Sequence, residues 1–174
     1  MIQTSFFADL FRSVPRSKKS KTSILKLLLF PRIKKVFKRR PTPLRPSGGH
    51  YDLKMIFDEL NAQYFDNQLN LGITWFGSAQ RIARRHRKLG LYCFYTKVVK
   101  IHRLLDQPHF PPYFISYVVY HEMLHSVCPP VKAKRGRYSI HHPDFKKREK
   151  QFAQYALAKR WEEENKRLFF TFLK

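Results

Sequence analysis

Two histidines and a glutamate stand together in the apolar stretch FISYVVYHEMLHSV. His121 and His125 are four residues apart, and Glu122 directly follows the first of them. On a helix, residues four apart project from one face a turn apart, so both imidazoles can reach one zinc ion. A dication also offsets the cost of burying polar groups in apolar surroundings. The H-E-x-x-H spacing therefore predicts a zinc site, with Glu122 beside it as general base toward a zinc-bound water.

A catalytic zinc that keeps one position open for water needs a third protein ligand. His141 and His142 follow at a feasible distance, just before the next predicted helix, and the residues alone leave the choice between them open. A five-residue motif also arises by chance, and the competing interpretation is a pair of surface histidines or of satisfied core histidines. The apolar flanks, the third histidine and the preceding strand region favour the metal site.

Hydrophobic periodicity indicates the elements that must position these residues. Apolar residues at helical spacing predict a helix from 52 to 65, with Asp52 as its cap. Three short runs rich in β-branched and aromatic residues predict strands at 73–76, 89–95 and 98–102. Aromatic residues in the second run are typical of a buried strand, and the alternative is a stacking platform for single-stranded nucleic acid.

The motif lies on a second predicted helix, 114–127, which Pro129 and Pro130 stop. A basic loop follows, and a long C-terminal helix is predicted from Pro143 to near residue 170. The order helix, small sheet, helix, loop, helix predicts an α+β domain in which a small β-sheet packs with helices.

The charge of the chain is far from balanced. Its 174 residues include 35 Lys or Arg and 12 Asp or Glu, a formal net charge of +23. Such a surplus repels itself unless a polyanion is near, which favours nucleic acid first and an anionic membrane surface second. The chain has only two cysteines, and they are not spaced like the ligands of a zinc site, which favours a reducing, cytoplasmic setting. No apolar run reaches the roughly 20 residues of a transmembrane span.

The charge is concentrated at the start of the chain. Residues 1–49 carry 13 Lys or Arg against one acidic residue and end in PTPLRPSGG, which predicts a flexible basic arm and linker before a globular domain at 50–174. The arm could contact nucleic acid, lie on a membrane surface or act in targeting. A disordered, solvated tail is the alternative interpretation.

Several separate stretches together carry a family resemblance. The stretch IFDELNAQYFDNQLNLGITWFG, a strand pair, VVYHEMLHSV and HHPDF resemble the SprT-like (Spartan-type) zinc metallopeptidase domain over roughly residues 51–152. The resemblance implies a zincin-like minimal metalloprotease fold. It assigns His121, His125 and His141 as ligands of one Zn²⁺ and Glu122 as general base, and it leaves His142 as a neighbour.

The resemblance also implies a function: a zinc-dependent endopeptidase acting on DNA-associated proteins, in the cytoplasm at the nucleoid or in a nucleus. The positive charge agrees with DNA or DNA-bound protein substrates as partners. Many relatives carry a cysteine-rich zinc ribbon after the peptidase domain, and this chain has none. Its DNA contacts are therefore expected from the arm and from two basic runs, Arg81, Arg84, Arg85, Arg87 and Lys88, and Lys132, Lys134, Arg135 and Arg137.

Two alternative functions remain at this point. One is a non-catalytic nucleic-acid-binding protein with a structural zinc, and the other is a zinc hydrolase of a non-protein substrate. A structural zinc is usually closed by four protein ligands and has no use for Glu122, which favours the enzyme. The sequence does not indicate the oligomeric state.

Overall fold

The computed structural model of the chain describes residues 43–78, 88–132 and 136–166. The predicted α+β class is confirmed, and no described helix combines the length and apolarity needed to cross a bilayer. The elements are α1 (Leu53–Phe65), β1 (Gly72–Phe76), β2 (Gly90–Cys93), β3 (Val98–His102), a 3₁₀ turn (Arg103–Leu105), α2 (Pro112–Val127), β4 (Val131–Lys132), β5 (Tyr138–Ser139), α3 (Pro143–Glu149) and α4 (Tyr155–Glu164).

Helix α1 begins where the sequence predicts. The Asp52 side chain accepts hydrogen bonds from the backbone N–H groups of Lys54 and Met55 at 2.8 and 3.2 Å, so it satisfies two donors that a helix start leaves unpaired. The helix ends at Asp66 and Asn67, which both adopt positive φ, a conformation that these two residue types tolerate better than most.

The sheet has the order β1-β3-β2, with β3 in the centre, parallel to β1 and antiparallel to β2. Strand β2 is shorter than the predicted 89–95 because the chain turns at residues 94–97, where Lys97 has a φ of 51°. Phe94 and Tyr95 therefore belong to the turn and are 69% and 94% exposed, so the expectation that they lie in the core is wrong.

Helix α2 is the centre of the body. It packs against α1, β2, β3, α3 and α4, and it is buried on nearly every side. A helix covered all round has no polar face, which explains the near-continuous apolar sequence around the histidines. It starts two residues earlier than predicted, since Pro112 occupies a first-turn position where a missing N–H costs nothing.

The prediction of one long C-terminal helix is wrong. Helices α3 and α4 are separated by a turn at residues 150–154. Phe152 in this turn is 5% exposed and Ala158 is fully buried, yet six residues of one straight helix would place their side chains about 120° apart. The turn lets both face the core, and Tyr64 Oη accepts the N–H of Ala153 at 3.0 Å in place of a helical partner.

The described part of the predicted linker, residues 43–49, packs on the body. The backbone N–H groups of Gly49, His50 and Tyr51 donate to the Asp106 carboxylate at 2.7, 2.9 and 3.1 Å. A Cβ at Gly48 would lie 2.6 Å from Asp106 Cγ, so the glycine permits this approach. The predicted boundary between residues 49 and 50 thus falls inside a hydrogen-bonded loop. Residues 1–42 of the predicted arm and linker at 1–49 lie outside the described residues.

The charge of the described residues is nearly balanced. They contain 15 Lys or Arg and 11 Asp or Glu, whereas the other segments hold 20 Lys or Arg and one acidic residue, Asp9. Residues 1–42 alone hold 12 of these 20. The positive surplus therefore lies almost entirely in segments outside the body described above.

Candidate metal centre

Three histidine rings converge beside the C-terminal half of α2. His141 Nε2 lies 3.2 Å from His121 Nε2 and 3.3 Å from His125 Nε2. One ring nitrogen from each residue lies within 4.8 Å of the other two, close enough for all three to hold one metal ion. His121 and His125 are half-buried and His141 is exposed, so the group opens to solvent on the His141 side.

The chain approaches α3 in an extended conformation, and this decides which of the adjacent histidines joins the group. His142 has φ −72° and ψ 171°, and successive side chains of extended backbone point to opposite sides. His141 consequently reaches His121 and His125. The His142 side chain is 7% exposed and turns instead toward a separate hollow that Cys128 also lines.

Phe145 forms the floor of the histidine group. It is fully buried on the first turn of α3, and its ring centroid lies 5.1, 4.7 and 4.8 Å from those of His121, His125 and His141. Packing of one rigid ring against three imidazoles restricts their rotamers. The segment HHPDF thus supplies the third histidine of the group, the proline that starts α3, and Phe145, which packs against all three imidazole rings.

A carboxylate supports the first histidine from behind. Glu149 Oε1, at the end of α3, lies 2.7 Å from His121 Nδ1, and the Tyr117 hydroxyl donates to the same oxygen at 2.8 Å. Burial opposes ionisation of Glu149, but these two hydrogen bonds outweigh it and lower the pKa of the carboxyl. An ionised Glu149 orients the His121 ring with Nδ1 protonated and Nε2 free to bind a metal.

His125 and His141 are held in the neutral form that binds metals. Burial, together with the neighbouring His121 and His141 rings, lowers the pKa of His125 to about 4. The same two kinds of cause, with burial the larger, lower the pKa of His141. Neutral imidazole is the ligand form, so at neutral pH no proton has to leave these two rings before a metal binds.

Glu122 lies beside the histidine group and is 7% exposed. Burial raises the pKa of its carboxyl to about 7, while His121, the backbone N–H of Tyr92 and Lys88 act in the opposite direction. A carboxyl with a pKa near 7 exchanges a proton readily at neutral pH, which is the property required of a general base that later acts as an acid.

A glycine on strand β2 makes the room that Glu122 occupies. A Cβ added at Gly90 would lie 2.5 Å from Glu122 Cγ and 2.8 Å from Glu122 Cδ, both closer than real Cβ atoms come. Gly90 therefore permits the carboxylate to lie flat against β2, where the Tyr92 N–H donates to it.

The three histidines and Glu122 all line one open cleft with a volume of about 920 Å³. Strand β2 and the turn after it supply one part of the lining, and the segments on either side of the β4–β5 pair supply another. A metal ion held by the histidines would be accessible from this cleft to an extended ligand.

The structure describes three of the nine basic residues predicted to contact nucleic acid. Lys88, Lys132 and Arg137 are all exposed, and Lys88 lines the cleft. The other six lie outside the described residues: Arg81, Arg84, Arg85, Arg87, Lys134 and Arg135.

Sequence reasoning missed three contributors to this site: Glu149, Tyr117 and Gly90. Glu149 is 28 residues from its partner His121, and Gly90 is 32 residues from Glu122, so no local spacing connects them. A glycine inside a predicted strand was a usable signal for Gly90, because such a residue often marks a close approach to the backbone.

Comparison of the chain with protein-family models, with curated proteins and with solved structures finds no match. Membership of the SprT-like family and the zincin-like fold therefore stay predictions that rest on the motifs and their spacing.

Proposed function

We propose that this protein is a zinc-dependent endopeptidase that acts on DNA-associated proteins. The observation that carries the proposal is the convergence of His121, His125 and His141 on one point beside the buried carboxylate of Glu122. The resemblance of the motif set to SprT-like metallopeptidases supports the same assignment, because it specifies these four residues in these roles.

The donor set fits zinc. Zn–N bonds of about 2.0–2.1 Å in a tetrahedral site separate two ligand nitrogens by about 3.3 Å. His141 Nε2 lies 3.2 and 3.3 Å from its two partners, which agrees with that separation. Three imidazole nitrogens also match the ligand count of catalytic zinc sites, in which the fourth position is open.

The proposed reaction is hydrolysis of a peptide bond. A zinc ion bound to the three imidazoles would lower the pKa of a coordinated water toward about 7 and polarise the scissile carbonyl. Glu122 takes up the proton that the attacking water loses and gives it to the leaving nitrogen of the cleaved peptide bond. The hydrogen bond to Glu149 keeps the His121 ring in a fixed orientation during both proton transfers.

The charge supports DNA as the setting of the substrate. The segments outside the described body hold 20 Lys or Arg and one acidic residue, a composition that binds phosphate backbones without sequence preference. In this proposal the basic segments hold the chain on DNA and the cleft cleaves protein near it. A nucleoid-associated cytoplasmic protein or a nuclear protein would have the access to DNA that this requires.

The alternative of a structural zinc has less support. A structural site needs a fourth protein ligand, and His121, His125 and His141 are the one group of three or more metal-binding side chains among residues 43–78, 88–132 and 136–166. It also gives no role to a buried glutamate against β2. Hydrolysis of a non-protein amide would use the same residues, so the choice of substrate in the assay separates that alternative.

The test compares Glu122→Gln with the wild type in zinc content and in cleavage of a protein bound to DNA. We expect one zinc per chain in both, and cleavage by the wild type alone. His141→Ala should lose zinc and His142→Ala should keep it. Unaltered cleavage by Glu122→Gln, or a folded wild type that takes up no added zinc, would contradict the proposal.

A further inference from the structure

Exposed apolar side chains are concentrated at the candidate active site. Nine large hydrophobic residues of the described chain are exposed, and four of them line the cleft that contains His121 and Glu122. These four are Leu91, Phe94, Tyr95 and Ile140. Two more, Val131 and Tyr138, lie on the short β4–β5 pair and do not line this cleft. Large apolar groups exposed together, rather than scattered singly, indicate a binding surface.

The two most exposed of the four cleft residues lie in the turn between β2 and β3. Phe94 and Tyr95 are 69% and 94% exposed, and their ring centroids lie 6.2 Å apart at an interplanar angle of 83°. The edge-to-face contact gives the two rings a preferred arrangement without covering them. Their outer faces remain free for a third apolar group, and both belong to the lining of the cleft.

A second apolar part of the lining comes from the chain around the β4–β5 pair. Pro129 and Pro130 follow the end of α2, and Ile140 directly precedes the histidine His141. Ile140 is 51% exposed. Apolar groups from two separate segments thus flank the point where the histidines converge.

The charges in the lining distinguish between possible occupants. Lys88, Lys146 and Lys159 are matched there by three acidic residues, Glu122, Glu149 and Glu162, and Lys159 is paired with Glu162. Among the described residues that line the cleft, lysines and glutamates are equal in number, whereas a groove for a nucleic-acid strand needs a positive surplus along its path. An apolar segment of polypeptide meets no such requirement, and its side chains gain by contact with the exposed rings.

We infer that the cleft selects polypeptide segments carrying a large apolar side chain, aromatic by preference, which is bound by the Phe94–Tyr95 pair and by Ile140. The inference rests on the proposed function and adds a substrate class to it. Most such side chains are buried in folded proteins, so unfolded or partly unfolded chains present far more of them. The basic segments and the apolar cleft then have separate tasks, attachment to DNA and choice of the cleavage site.

The test is a binding measurement on the full-length Glu122→Gln protein loaded with zinc, because this variant cannot complete the proposed reaction. The probe is a fluorescein-labelled Gly/Ser peptide with one central phenylalanine, and its partner has aspartate at that place. We expect the phenylalanine peptide to bind about tenfold more tightly, the factor that partial burial of one aromatic ring supplies. Adding Phe94→Ser and Tyr95→Ser should remove most of this difference.

The matched control is Met55→Ser, which removes an apolar side chain that is 73% exposed on α1 and does not line the cleft. It should leave peptide binding unchanged. Equal binding of the two peptides, or a preference that survives loss of both rings, would overturn the inference. So would competition by an oligothymidine that depends on Tyr95, because the pair would then be a base-stacking surface.

The two proposals fail in different ways. Ring-dependent binding of the phenylalanine peptide, with no cleavage of any peptide by the zinc-loaded wild type, would keep the apolar site and reject the endopeptidase. Cleavage that shows the same kcat/KM for both peptides would keep the endopeptidase and reject the apolar site.

Discussion

Glu149 Oε1 and His121 Nδ1 lie 2.7 Å apart, although 28 residues separate them in the sequence. The Tyr117 hydroxyl donates to the same oxygen from one turn earlier on α2. The metal-binding face of α2 is thus tied to the end of α3. This contact determines the direction in which His121 Nε2 points. The affinity of the site for a metal therefore depends on how α3 packs against α2.

Replacing Glu149 with alanine should weaken zinc binding by about 10–100-fold, because the His121 ring loses the acceptor that orients it and stabilises its tautomer. Glu149→Gln, which keeps an acceptor oxygen, should recover part of the affinity. Competition for zinc with a chromophoric chelator measures the zinc affinity of both variants. Glu163→Gln, at an exposed glutamate of α4 paired with Lys166, is the control and should bind zinc like the wild type.

Replacing Gly90 with alanine should lower cleavage by at least about tenfold without loss of zinc, because the new Cβ would displace the Glu122 carboxylate from β2. Steady-state cleavage and elemental analysis of the same sample give the two values. Gly49→Ala is the matched control, since its Cβ would lie 3.8 Å from the nearest neighbouring atom. Wild-type cleavage by Gly90→Ala would show that the position of Glu122 against β2 has no part in the reaction.

Replacing Asp106 with asparagine should lower the free energy of unfolding near neutral pH by about 1–2 kcal/mol, allowing for its partial exposure. Burial opposes the charge, but the N–H groups of Gly49, His50 and Tyr51 outweigh burial and lower the pKa of Asp106 in the folded chain. The stabilisation is therefore fully present above the unfolded pKa of about 3.9 and is lost as pH falls through the lower folded value.

The difference in free energy of unfolding between wild type and Asp106→Asn should therefore become smaller as the pH is lowered below about 4. Urea midpoints near pH 7 and near pH 3, both with EDTA so that acid release of zinc does not enter the comparison, measure it. Asp58→Asn removes an exposed carboxylate paired only with Lys54 and should change stability by less than about 0.5 kcal/mol. A difference that is the same at both pH values would exclude the charge as the cause.

Deleting residues 1–42 should weaken binding to duplex DNA and reduce its salt dependence, because these residues carry 12 Lys or Arg and one acidic residue. The slope of log affinity against log salt concentration measures how many phosphate contacts are lost. The deletion stops at residue 42 because residues 45–51 hydrogen-bond to the body. A full-length chain with glutamine at the 12 positions separates charge from length, and an unchanged slope in that chain would assign DNA binding to other segments.

The sequence by itself determined the elements and the core of the site where the signal is local. Periodicity located α1, α2 and three strands to within a few residues, because an amphipathic or buried element repeats its pattern along its own length. The pairing of His121 with His125 is equally local, since four residues make one helical turn. The net charge also follows from the sequence without a structure. Only the fold shows that the positive surplus lies outside the described body.

Only the tertiary structure decided what depends on residues far apart in the chain. It directed His141 rather than His142 toward His121, joined Glu149 to His121, and placed Gly90 against Glu122. It also ended α3 at Glu149 and brought the Gly48–Gly49 loop onto Asp106. Each of these contacts joins two elements that are far apart in the sequence. The packing of the elements determines such a contact, so no local sequence pattern could predict it.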